Sequence, residues 1–111
     1  MRFILIALCA SACLGVRGAE VELFGVGARS CEEYAESRRD ADPVLMAIYA
    51  SWLTGYISGY NVYAGSKSPK AAGEVTVQQL LGHIDRYCGQ RPASTFQAGA
   101  DDLIGSLARR R

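Results

Sequence analysis

The chain is poor in the side chains that most enzymatic and metal chemistry draws on. Its 111 residues include one histidine, one tryptophan, two methionines and three prolines. With His83 alone, no His cluster can hold a metal, and no serine has a second candidate base to activate it. Charge of one sign is missing too: twelve Lys and Arg face eleven Asp and Glu. That near balance removes the basic footprint that nucleic-acid binding needs, so no nucleic-acid partner is expected. Strand-like alternation of apolar and polar residues is absent, as is any internal repeat. What remains is a chain of one small domain, half hydrophobic by composition, which suits a globular rather than a disordered protein.

The amino-terminal end reads as an address rather than as fold. Arg2 supplies a positive start, and residues 3–16 form an apolar run without a charge. Such a run is too short for a stable bilayer span and fits the core of an export signal. Val16 and Gly18 place small side chains at the −3 and −1 positions of a cut before Ala19. Residues 1–18 are therefore expected to be a cleaved signal peptide, residues 19–29 an extension, and residues 30–109 a helical domain. Ala10-Ser11-Ala12-Cys13 offers a competing reading as a lipoprotein signal. Cleavage after Gly18 removes Cys9 and Cys13 and leaves Cys31 and Cys88. Two cysteines in an oxidising compartment are expected to pair. Loss of Arg2 and Arg17 leaves ten basic and eleven acidic residues, a net −1.

Four helix starts are written in the mature chain. Ser30 with Glu33, Thr76 with Gln79 and Ser94 with Gln97 each read as a capping box. Asp42-Pro43 reads as an N-cap followed by proline at the first helical position. The first helix should run to about Arg39. In the third, Val77, Leu80, Leu81, Ile84 and Cys88 share one apolar face, with Gly89 expected just past its end and Pro92 barring continuation. Phe96, Ala100, Leu103 and Leu107 stripe the fourth, which ends in Arg109, Arg110 and Arg111 where positive charge suits the helix dipole. Residues 65–74 read as a flexible connector. The expected fold is all-α, a small four-helix domain with one disulfide.

The second helix is the unusual one. Residues 43–65 carry no charge, yet Thr54, Ser58 and Asn61 make a polar strip, and the aromatic residues run its full length instead of gathering at two ends. Neither suits a membrane span. Tyr49, Trp52, Tyr56, Tyr60 and Tyr63 fall within an arc of about 80°. Ser51, Gly55 and Gly59 form a stripe of small residues beside it, which lets another helix approach closely. Two roles fit: a central helix packed tightly by its neighbours, or an adhesive surface for a partner, either unfolded clients or one cognate protein.

No catalytic residue, cofactor or metal is expected. Cys31 and Cys88 lack the Cys-x-x-Cys spacing of a redox pair. Gly25 and Gly27 lack the strand-turn-helix context of a phosphate loop. His83 is expected to be exposed and structural. Glu32, Glu33 and Glu36, with Asp40 and Asp42, read as a solvated face that favours helix N-termini.

Three segments in order, Ser30-Cys31-Glu32-Glu33-Tyr34, then Trp52-Leu53-Thr54-Gly55-Tyr56-Ile57-Ser58-Gly59-Tyr60-Asn61, then Tyr87-Cys88-Gly89-Gln90-Arg91-Pro92, resemble the HdeA/HdeB family of small exported bacterial proteins, particularly its uncharacterised branch. The likeness covers roughly residues 30–107. It implies a periplasmic helical domain with a Cys31–Cys88 bridge, dimeric at neutral pH, that loosens in acid and binds unfolding proteins. On that reading Tyr49, Trp52, Tyr56, Tyr60 and Tyr63 form the client surface. The Gly55 to Gly59 segment is also similar to that of Rap/Tai-type immunity proteins, which implies a periplasmic inhibitor of one secreted cell-wall-cutting toxin.

Overall fold

In the first helix the Ser30 hydroxyl accepts the Glu33 backbone N–H at 3.1 Å, while the Ser30 N–H donates to the Glu33 carboxylate at 3.2 Å. This reciprocal box opens α1, Cys31–Asp40. Asp42 caps α2, Pro43–Ala64, its carboxylate accepting the N–H groups of Val44 and Leu45. Thr76 and Gln79 repeat the reciprocal box at the head of α3, Val77–Gln90. The last helix, α4, is Phe96–Arg109, and a 3-10 turn at Gly25–Ala28 precedes them all. These elements belong to a computed structural model that describes residues 22–64 and 74–109. The leader at 1–18 with Cys9 and Cys13, most of the connector, and Arg110 and Arg111 lie outside the described residues. The protein is all-α, four helices around one core, with no strand among the described residues.

Two sequence expectations are corrected. Gly89 does not end α3. The helix runs through Gly89 and Gln90 and stops where Pro92 forbids continuation, the Arg91 N–H turning back to the Cys88 carbonyl. Ser94 does not cap α4. Thr95 does, its hydroxyl accepting the Ala98 N–H at 3.1 Å. Ser94 is held elsewhere: its carbonyl accepts the Cys31 N–H at 2.8 Å and its hydroxyl meets that of Tyr87 at 3.1 Å. Long-range contact has outbid the local signal by a single residue.

Those contacts tie the heads of α1 and α4 together. Phe96 N–H donates to the Arg29 carbonyl at 2.9 Å, and Ser30 and Thr95 form an antiparallel bridge. The Cys31–Cys88 disulfide joins the same corner to the end of α3, with Cα atoms 4.8 Å apart. Beneath it Tyr34, Tyr49 and Phe96 pack ring on ring, with centroids 4.8 to 5.1 Å apart. All three are fully buried. Each such side chain contributes about 1.5–3 kcal/mol over an exposed one. Leu53, Ile57, Leu80, Leu81, Ile84, Leu103 and Leu107 extend this core toward the far end. Val77, expected on the apolar face of α3, is more than a third exposed at the head of the helix.

Aspartates supply the charged ties between helices. Asp85 on α3 takes a two-point contact from Arg38 of α1, at 2.9 and 2.6 Å, and accepts the Tyr34 hydroxyl at 2.7 Å. Burial pushes the Asp85 carboxyl up, but the hydrogen bonds from Arg38 and Tyr34 outweigh that and hold it below the ordinary carboxylate range. Desolvation and the Asp85 carboxylate together push the Tyr34 hydroxyl far up. His83 is not the exposed residue expected: its side chain is 19% exposed, and its Nε2 lies 2.7 Å from Asp102 of α4.

Candidate functional site: the uncovered face of α2

Before α1, residues 24–28 fold back onto α2. The indole N–H of Trp52 donates to the Phe24 carbonyl at 2.8 Å. Gly27 lies flat on that indole, where an added Cβ would fall 1.9 Å from the ring, so only glycine fits. Gly25 turns the chain with φ +73°, a left-handed conformation that glycine adopts without strain. The two glycines thus seat a tryptophan.

The aromatic arc divides along its length. Tyr49 is core, without exposed surface. Burial raises its pKa, an effect that nearby Ser37 and Arg29 only partly offset, and its hydroxyl has no hydrogen-bond partner. Trp52 and Tyr56 are half-buried and stacked, with centroids 4.7 Å apart. The Tyr56 hydroxyl donates to Asp101 of α4 at 2.6 Å; burial first, then this carboxylate, raises its pKa. Gln97 donates its amide to both Tyr56 and Asp101. Tyr60 is half-buried, and Tyr63 is 92% exposed. Of the five candidate residues, four reach the surface at least in part and one is buried.

The small stripe lies on the open side. No other part of the described chain comes within 4 Å of a Cβ added at Gly55 or Gly59. This corrects the reading in which neighbouring helices pack tightly against these residues. Sequence reasoning also missed what continues the stripe. Val44, Ile48, Ser51, Gly55 and Val62 share one face at helical periodicity, about 27 Å from end to end. Val44 is 69%, Ile48 48% and Val62 73% exposed. The face is a saddle, apolar at both ends and glycine-floored in the middle.

Three concavities adjoin along it. One of about 790 Å³ is lined by Val44, Ile48, Ser51 and Trp52; a second, about 410 Å³, shares Ser51 and Trp52 and adds Phe24 and Glu22. A third, about 480 Å³, shares Gly55 and Tyr56 with the second and adds Tyr60, Tyr63 and Asp101. No lysine or arginine lines any of the three. The uncharged α2 sequence was the signal for this face. Nothing local to α2 marks Asp101 or Gln97, which α4 brings from more than forty residues away.

Elsewhere, a polar concavity of about 550 Å³ between α3 and α4 includes His83, Arg86, Gln79 and Ser106. Its histidine is taken up by Asp102, which makes it a tie between helices. Among the described residues no group of three or more His, Cys, Asp or Glu is placed to hold a metal ion. Nor is any described helix long and apolar enough to cross a membrane. Comparison with protein families, with curated proteins and with solved structures found no match for the chain.

Proposed function

We propose that this is a small exported, non-enzymatic protein that binds another protein in its folded state, along the uncovered face of α2. One observation carries the reading: a continuous, preformed groove some five turns long, lined by no cation among the described residues, on a helix that spends no charge on solubility. Monomeric surfaces seldom leave a contiguous apolar strip of this kind without a use. The Cys31–Cys88 bridge supports the export reading, because such bonds persist in oxidising compartments such as the periplasm. An inhibitor of one cognate toxin is a form of this activity.

A photo-crosslinking side chain at Ser51, compared with one at the exposed Glu36 of α1, tests it in cells. The same partner should be trapped from Ser51 and not from Glu36. Equal or absent trapping from the two positions overturns the reading.

A second reading, an acid-activated chaperone, is favoured by a separate observation. Among the described residues the charged or ionisable links between helices run through aspartates: Asp85 joins α3 to α1, Asp101 joins α4 to α2, and Asp102 joins α4 to α3. Acid strong enough to protonate Asp85 breaks its ion pair with Arg38 while it raises the net charge. Suppression of client aggregation at low pH and not at neutral pH is the expected outcome. No suppression in acid removes this reading and leaves the first intact.

A further inference from the structure

We propose that the cavity between α2 and α4 lined by Tyr56, Tyr60, Tyr63 and Asp101 seats an arginine side chain of the protein that lies along α2. The proposal rests on the docking reading above and adds the chemistry of the partner.

The cavity combines the two things that hold a guanidinium. Three tyrosine rings line it, Tyr56 with one face already stacked on Trp52; aromatic faces draw cations, and arginine, being planar and weakly hydrated, stacks on such rings better than lysine does. One carboxylate, Asp101, supplies the charge. Its oxygens accept the Tyr56 hydroxyl and the Gln97 amide, neutral donors that fix the carboxylate in place without neutralising it. Among the described residues Asp85 pairs with Arg38 and Asp102 lies beside His83, whereas no lysine, arginine or histidine pairs with Asp101. A charged acceptor already held in position binds a cation with little ordering cost.

The geometry also says how the cation arrives. Gly55 and Gly59 leave the cavity open toward the saddle, with nothing beyond the adjoining backbone of α2 within 4 Å of an added Cβ. Through Gly55 and Tyr56 it joins the apolar concavity beside Phe24 and Trp52. A side chain entering there therefore belongs to a segment laid along α2, apolar over Val44 and Ile48 and basic near Tyr60. Complementarity of charge favours this occupant over a second copy of the chain, whose own α2 has no cation to offer.

The test uses the mature, disulfide-bonded protein at neutral pH and two short alanine–leucine helical peptides. One carries a single arginine near its end; the other has citrulline, its neutral isostere, at that place. Affinities are measured by titration calorimetry, and amide shifts of Gly55 and Gly59 by NMR. The arginine peptide should bind about tenfold more tightly than its twin. Asp101→Asn, which keeps an acceptor for Tyr56, should remove most of that preference, and Tyr60→Leu should reduce it, with both variants melting near the parent. Equal affinity of the two peptides overturns the arginine seat and leaves docking on α2 standing. No binding of either peptide overturns both. Free arginine amide binding as tightly as the peptide makes the cavity a small-cation site and overturns the partner anchor. A dimer in sedimentation that the arginine peptide fails to dissociate means a second copy covers the face, and overturns it as well.

Discussion

Two tyrosines in the same core cluster stand in opposite energetic positions. Tyr34 is buried and gives its hydroxyl to the Asp85 carboxylate at 2.7 Å; Tyr49 is buried with no partner for its own. Hydrogen bonds to charged groups contribute about 1.5–3 kcal/mol net, whereas a buried hydroxyl left unpaired costs about 1–3 kcal/mol. Tyr34→Phe should therefore lower stability by about 2 kcal/mol, while Tyr49→Phe should leave it unchanged or raise it by about 1 kcal/mol. Urea unfolding of the two variants side by side checks the contrast. Equal losses would show that the Tyr49 hydroxyl finds a partner in solution. None of this was legible beforehand: Tyr34 sits in the polar helix α1 and Tyr49 in the uncharged α2, and only the fold brings Asp85 to the first of them.

Among the elements, the starts of α1, α2 and α3 were readable because their caps close within three residues. Ser30–Glu33, Asp42–Pro43 and Thr76–Gln79 need nothing from elsewhere in the chain. The start of α4 was misplaced by one residue because the α1–α4 corner claims Ser94 for its own hydrogen bonds. The face of α2 was half legible. Its lack of charge and its stripe of small residues stood out, but periodicity alone does not say which stripe the neighbouring helices cover. They cover Leu53 and Ile57 and leave Gly55 in the open. Hence Gly55→Ala should stabilise the domain by about 0.5–1 kcal/mol, since the new methyl meets nothing and helix propensity improves. A core glycine would show the reverse. Gly55→Leu should keep the fold, shown by an unchanged circular dichroism spectrum, yet abolish crosslinking from Ser51 by filling the saddle.

The whole molecule responds to acid and to reduction through different parts. Asp85 is held below its ordinary range when folded, so the folded state binds its proton less readily than the unfolded chain does. Its stabilising contribution is complete above the unfolded carboxylate pKa of about 4 and is lost as pH falls through the lower folded value. Asp85→Asn should lower stability at neutral pH by about 1–2 kcal/mol and flatten its decline in acid, as followed by melts between neutral and strongly acidic buffers. Over the same range the formal side-chain charge of residues 19–111 moves from −1 to about +11, counting eleven carboxylates and one histidine as protonated. Reduction acts on the unfolded chain instead. Cys31 and Cys88 are 57 residues apart in sequence. Opening a loop of that length costs about 4 kcal/mol in the chain-entropy account. A reduced or Cys31→Ser/Cys88→Ser protein should show that loss in denaturant titration, a large share of what a domain this small has to spare.

The bridge has a topological consequence as well. Cys31 is the first residue of α1 and Cys88 lies near the end of α3, so all of α2 falls inside the ring that they close, and α4 falls outside it. A protease that cuts the backbone once anywhere between the two cysteines therefore releases nothing. The nicked chain keeps its mass, apart from one added water, until thiol is supplied, and then parts into two fragments. The helix that carries the groove has two covalent routes to the rest of the molecule, where α4, with Asp101, has only one.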